Sequence, residues 1–307
     1  MSDPTATTTE NRVVFLEGVE NTDADKEYQK MLEESSIEEC TLELPKGYLS
    51  ASQISQYLKC PRQFEFRVVK GIIMPPSIAM AEGKAIHRGL EVGHREALKT
   101  DNVPLDMMLD AHADAWKNVR SDIDWNAENE DDANEDQVLS RGRALLSLYQ
   151  RDHLPVLKAV VDPIGPFIER RFWVTIGEMR VPMLGYIDLL AEDHAPKSTL
   201  VGPVIVDHKV VSRAKSADDA QNDMQLTIYS LVTKVTQVAF NCLTKTKTPA
   251  VKMISAPRGA HDWRWAQFVI ERVAESIARG SFPPGSPGWW CSKKWCGYFD
   301  ECRKGGA

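Results

Sequence analysis

An aspartate and a lysine stand two residues apart inside the otherwise apolar run VIVDHKVV (204–211), and this run limits the possible folds more than any other stretch. Short, β-branched and apolar, it predicts a buried strand. Side chains alternate along a strand, so Asp207 and Lys209 share one face while His208 takes the other. An unpaired carboxylate in such a place costs roughly several kcal/mol, so partners must exist. A hard divalent cation is an apt partner, because it seeks carboxylate oxygens and retains waters. A second apolar run, GYIDLLAE (185–192), carries Asp188 to the same face if the register between the strands allows it. Two carboxylates and an ammonium at one spot can hold a metal and orient a water. The bland alternative is a buried Asp–Lys ion pair.

The rest of the chain supplies the setting. Residues 1–47 are mostly polar, apart from the apolar patch at 13–16, and read as a flexible arm with a helix near 28–34; residues 48–307 read as one domain. Ser50 or Ser52 can cap a short helix carrying Ile54, Tyr57 and Leu58 and ending before Cys60-Pro61. A second helix is expected over about 78–99. Two more, over about 105–119 and 136–154, belong to a helical insertion of about 100–165 and flank an acidic stretch. From Pro166 the period changes to two: FIERRFWVTI, a turn at Gly177-Glu178 and MRVPMLGYIDLLAE predict an antiparallel hairpin. After the strand with Asp207 come a helix over about 217–235, the strands QVAFNCLT and AVKMISAP, and a helix over about 263–279. This order predicts an α/β fold, a sheet with helices packed on it.

Other residues invite chemistry. His87 lies in GKAIHRG; Gly83, one turn earlier, is expected to let its helix approach another backbone closely, and a neutral imidazole could then join the aspartates at a metal. His94, seven residues on, is a rival ligand. Gln225 and Tyr229 lie four apart on one helix face, where the glutamine can hydrogen-bond the metal-site lysine or a nucleotide and the tyrosine can stack on a base or bond a phosphate. The tail WWCSKKWCGYFDECR, at 289–303, places thiols at Cys291, Cys296 and Cys302 among aromatic rings, suited to a soft metal or cluster. Cys60 is the best fourth ligand, with Cys40 and Cys242 as alternatives; four cysteines also suit tetrahedral zinc.

The formal charge of −7 and pI near 5.6 exclude a generally basic protein, but eight acids and no base fall within 121–136. The remainder is nearly neutral, so a local basic groove stays possible. No apolar run approaches the ~20 residues of a membrane helix, and the N-terminus lacks the layout of a secretory signal, so a cytoplasmic protein without a membrane partner is expected.

In order, LSASQISQYLKCPRQFEFR, EGKAIHRGLE, GYIDLL, VDHK, the QLTIY pair and the cysteine tail resemble the RecB-like branch of the PD-(D/E)XK nuclease superfamily, over roughly 49–303. That branch includes four-cysteine CRISPR-associated exonucleases and phage recombination exonucleases. The resemblance implies a restriction-endonuclease-like core: a central mixed β-sheet flanked by helices, with helical N-terminal and inserted segments. It implies that His87, Asp188 and Asp207 bind Mg²⁺ or Mn²⁺, that Lys209 is the catalytic lysine, and that Gln225 and Tyr229 complete the site. It also implies that Cys60, Cys291, Cys296 and Cys302 ligate a [4Fe–4S] cluster pinning the C-terminus to the N-terminal part of the domain. Two departures stand out: four residues rather than two separate Cys291 from Cys296, and the 100–166 segment is long for the compact members. The implied activity is a metal-dependent DNA exonuclease in recombination or repair. Because the chain carries no GxxxxGK[ST] loop, a helicase or strand-annealing partner would be a separate protein. A cluster-bearing DNA-binding or scaffold protein with a degenerate nuclease fold, and a structure-specific endonuclease, are the alternatives.

Overall fold

The computed structural model describes residues 13–16, 42–123 and 135–304. The helix expected near 28–34, Cys40 and most of the acidic stretch lie outside them. Two compact units emerge, one gathering residues up to Ile73 with Arg171–Gly185 and Ala260 onward, the other Met74–Arg170 and Tyr186–Gly259.

In the first unit, strand β1 (Val13–Leu16) pairs antiparallel with the Arg171–Val174 part of β5 (Ile168–Ile176). Helix α1 (Ala51–Lys59) starts at Ser50 in a full capping box with Gln53, so of the two expected serines Ser50 is the cap. The helix ends before Cys60-Pro61, as expected, at an extended Cys60. Pro61 opens the short α2 (Pro61–Phe64), because proline is tolerated at a first helical position, and a π-helical turn follows to Val69. Leu49 bonds Pro182 and Leu184 of β6 (Val181–Asp193) through its backbone. Within that strand Gly185 is required: a Cβ there would lie 2.4 Å from the Phe172 ring. Helix α8 (Ala260–Ala278) and the tail, which ends in α9 (Phe299–Lys304), complete this unit.

The second unit holds helices α3 (Ile78–Ala97), α4 (Leu105–Val119) and α5 (Glu135–Asp152). Its sheet contains β7 (Pro203–Val211), antiparallel to the Leu189–Glu192 part of β6 and parallel to β8 (Gln237–Thr244), which pairs antiparallel with β9 (Ala250–Pro257). This mixed pattern follows from the connections. A hairpin-type return keeps β8 and β9 antiparallel, whereas the β7-to-β8 link is a helical crossover and makes them parallel. Short strands β2 (Leu157–Ala159), β3 (Val161–Asp162) and β4 (Gly165–Pro166) were not legible as strands, being two or three residues long. Ile86 and Leu90 of α3 and Leu145, Leu146 and Tyr149 of α5 bury themselves on Leu189, Val204, Val206 and Ala239 of the sheet. The mixed α/β class is as expected.

The crossover differs from the single helix expected over 217–235. It is two helices, α6 (Ala217–Gln221) and α7 (Met224–Thr233), because the Asp223 side chain takes the Leu226 N–H and starts a new helix. Buried Arg258 holds the break, donating to the Ala220 carbonyl and the Thr227 hydroxyl. Gly83 also departs from expectation: nothing lies within 4 Å of its Cβ direction. The tight approaches of α3 fall at Gly89, where a Cβ would lie 2.8 Å from Leu146, and at Gly93, against Met108.

Candidate metal centre

The paired register of β6 and β7 runs from Glu192↔Pro203 to Leu189↔Val206. The next step along it sets Asp188 beside Asp207, with side chains rather than a backbone ladder meeting there. The backbone of His208 is bonded by two of those side chains. Its N–H donates to Asp188 Oδ2 at 2.8 Å, and its carbonyl accepts from His87 Nε2 at 2.9 Å. Buried backbone groups need partners, and here the site's own side chains supply them.

The second of these bonds fixes the imidazole chemistry. With Nε2–H committed to a carbonyl, Nδ1 is the ring atom left to face the carboxylates, 3.6 Å from Asp188 Oδ2 and 3.7 Å from Glu169 Oε1. The ligand atoms of His87, Glu169 and Asp188 all lie within 4.8 Å of one another, and no other such group occurs among the described residues. Burial alone would lower the His87 pKa, but the charges of Asp188 and Glu169, with a smaller share from Asp207, raise it to about 9. Without a cation the imidazolium is therefore the counter-charge at the centre. Burial, then repulsion from Glu169, raises the Asp188 pKa against the opposing pull of His87. One imidazole nitrogen and a set of carboxylate oxygens are hard donors, so these residues fit Mg²⁺ or Mn²⁺.

Glu169 escaped the sequence reading. It sits early in β5 with φ at +48°, a left-handed conformation that costs a residue with a Cβ roughly 1–3 kcal/mol. The twist departs from the regular alternation of the strand, so period-two reasoning gives no sign of where its side chain goes. The sole sequence signal was an acid inside an expected strand, FIERRF, but two arginines follow it, so the argument applied to Asp188 and Asp207 has little force there.

Asp207, almost fully buried, anchors the other half of the site. Lys209 Nζ is 2.6 Å from its Oδ2, and Gln225 Nε2 donates to its Oδ1 at 2.9 Å. The same amide donates to the Tyr229 hydroxyl at 2.8 Å, one hydrogen for each acceptor. The α7 start at Asp223 brings Gln225 and Tyr229 to this face. Tyr229 is buried, as a core residue of an amphipathic helix would be, so its hydroxyl rather than its ring reaches the site. Burial, then the charge of Asp188, pushes the Asp207 pKa up to about 7 despite Lys209. Burial opposes a charged Lys209, but Asp207 more than compensates and its pKa is raised, so the ammonium form persists. The rival histidine lies elsewhere: His94 is buried with its Nε2 2.7 Å from the Tyr149 hydroxyl, its ring near that of His208.

The cysteine tail lies in the first unit. Gly285 N–H donates to Cys60 Sγ at 3.3 Å, Gln63 Nε2 approaches Cys296 Sγ at 3.8 Å, and the Arg62 N–H bonds the Pro283 carbonyl. Tyr298 stacks on Phe66 and donates to the Ile72 carbonyl, while Lys59 lies over the Trp289 and Trp290 rings. The tail therefore returns to α1 and α2. Cys60, Cys291, Cys296 and Cys302 are free and partly buried, whereas Cys242 is fully buried in β8. Among the described residues no three sulfurs lie within 4.8 Å of one another, whereas a closed zinc site with ~2.3 Å bonds sets them roughly 3.8 Å apart.

No helix of the described residues is long and apolar enough to cross a membrane. The sequence profile of the PD-(D/E)XK nuclease superfamily matches residues 48–303. No curated protein matches the chain. Among solved structures, a protein from Eubacterium rectale described as a candidate exonuclease is 11% identical, with 94% of each chain covered and a TM-score of 0.46. A second, SSO0001, is also 11% identical, over 91% of this chain and 93% of the other, with a TM-score of 0.34.

Proposed function

Because the chain belongs to the PD-(D/E)XK nuclease superfamily, we propose that it is a metal-dependent deoxyribonuclease that hydrolyses DNA from its ends. The observation that carries this reading is the convergence of His87, Glu169 and Asp188 within 4.8 Å, beside the Asp207–Lys209 pair. His87, Glu169, Asp188 and Asp207 would hold Mg²⁺ or Mn²⁺. The bound ion supplies positive charge at the phosphate and lowers the pKa of a water for in-line attack.

The remaining work falls to the chain. Lys209, kept protonated by Asp207, offsets charge building on the phosphate oxygens and orients the attacking water. Gln225 holds the Asp207 carboxylate from the side opposite Lys209, and Tyr229 fixes the glutamine amide. Both are positioning residues. His87 gives up its Nδ1 proton when a cation is bound, so metal binding and proton release are coupled at this atom.

The exonuclease assignment draws support from the ordered motif set that ends in the four-cysteine tail. Cys60, Cys291, Cys296 and Cys302 would hold a [4Fe–4S] cluster through their thiolates. A role in recombination or repair, in the cytoplasm and alongside a separate annealing protein or helicase, belongs to the same reading. The test is digestion of linear and closed circular DNA, single- and double-stranded, with Mg²⁺ or Mn²⁺. Linear DNA should be consumed and circles should persist. Cleavage of circles would replace the exonuclease with an endonuclease, and no cleavage at all would remove the enzyme.

A further inference from the structure

Beyond Lys209 the chain leaves β7 and, with Ala79 of α3 and Lys245 after β8, encloses a cleft of about 640 Å³. Its polar lining is Ser212, Arg213, Lys215, Ser216, Asp219 and Lys245. Three cations face one acid there, in a protein whose overall charge is −7. That acid is engaged by its own helix cap, since Asp219 accepts from the Ser216 N–H at 2.8 Å and from its hydroxyl at 3.0 Å. Arg213 and Lys215 reach it only at Coulombic range. Lys245 is held from below by fully buried Glu82 at 2.8 Å, and the same carboxylate takes a two-pronged contact from Arg141 at 2.9 and 3.1 Å. One acid thus serves two cations, and the floor of the cleft stays positive.

The cleft also adjoins the Asp207–Lys209 pair. Lys209 and Lys215 each place Nζ 5.8 Å from the centre of the same buried ring, Phe240, so their ammonium groups are at most two such radii apart. A nucleic-acid strand carries a charge every ~3.4 Å of rise, so this interval spans one to three phosphates.

We propose that Arg213, Lys215 and Lys245, with the Ser212 and Ser216 hydroxyls, form a phosphate subsite that grips the substrate strand next to the bond being cut. The assignment rests on the nuclease reading for the identity of the strand, but not for the anion chemistry. A phosphate there would arise either from a strand terminus or from an internal diester.

The test is binding of a labelled single-stranded oligonucleotide by fluorescence anisotropy, with Ca²⁺ replacing Mg²⁺ to prevent cleavage, across a salt series. Both residues are exposed, so the R213A/K215A double variant is suited to the comparison. It should bind about tenfold more weakly at low salt, with the log K against log[salt] slope reduced by about 0.7 for each lost contact. Hydrolysis of a small chromogenic phosphodiester, which reaches only the metal centre, should be unchanged. Loss confined to 5′- or 3′-phosphorylated strands identifies a terminal phosphate, and equal loss on hydroxyl-ended strands an internal diester; both support the subsite. Unaltered affinity and salt slope in the double variant would overturn it. If the wild type binds through these residues yet cleaves nothing, the nuclease reading fails and the subsite stands.

Discussion

The carboxylate centre and the cysteine tail are the two places proposed to take a metal, and the fold prepares them differently. At the first, backbone bonds hold the ligands: the N–H and carbonyl of His208 fix Asp188 and His87, and three donor atoms already converge. At the second, ring packing and single hydrogen bonds hold the segment, and the sulfurs stand apart. The first arrangement stores charge repulsion between Asp188 and Glu169 that a cation would relieve. On the cluster proposal, the second would leave the gathering of the ligands to the group that binds them. A preformed centre suits chemistry on a substrate, and an unformed one suits a group that completes a fold.

Four measurements probe this contrast. The largest effect should come from Asp207→Ala and Lys209→Ala, each lowering hydrolysis of end-labelled DNA by at least about a thousandfold while leaving the circular dichroism spectrum unchanged. Full activity in Asp207→Ala would remove the assignment.

Next, Glu169→Gln should weaken Mn²⁺ binding by about 10–100-fold in calorimetry. Glu169→Gly should bind equally poorly yet melt above the glutamine variant, because glycine accepts φ at +48° without strain. If glutamine binds Mn²⁺ as well as the wild type, Glu169 is not a ligand.

The third concerns the tail. Protein purified without oxygen should be brown, and Cys291→Ser should lose the colour and become sensitive to protease near 285–303 while keeping its Mn²⁺ affinity. Colourless wild-type protein containing stoichiometric zinc would sink the cluster.

The smallest effect is a pH dependence. Asp207 has a folded pKa raised to about 7, so the folded state holds its proton between the ordinary carboxylate value and 7. Stability from this group is present at low pH and is lost as pH rises through 7. In metal-free protein, the melting temperature of Asp207→Asn minus that of the wild type should therefore increase from pH 5 to pH 8. A difference on the order of 1 kcal/mol amounts to about 2–4 °C. A difference that stays flat with pH would mean the buried carboxylate carries no such penalty. Adding Mn²⁺ at pH 8 should stabilise only the wild type.

Much of this was legible because strands write themselves plainly. QVAFNCLT and AVKMISAP occupy the residues expected, since apolar runs bounded by turns leave little choice of ends. Asp188, Asp207 and Lys209 showed themselves as charges in apolar runs, and the structure brings all three together with His87. What stayed hidden depends on distant partners. Glu169 joins through a backbone twist that no local pattern reports. The break at Asp223 is stabilised by Arg258, thirty-five positions away. The close contacts of α3 fall at Gly89 and Gly93 rather than Gly83 because Leu146 and Met108 pack there, and sequence spacing cannot locate them.

The two bonds made by His208 come from its main chain, and its ring points to the other side of the sheet. Replacing that side chain leaves both anchors intact; only proline deletes one, by removing the N–H. The two backbone hydrogen bonds are thus independent of which amino acid is written at position 208, whereas the ring itself packs edge-on against His87 at 5.9 Å. An alanine scan would register only the lost ring contacts with His87, His94 and Tyr149, and would miss the peptide group beneath that ties the two ligands together.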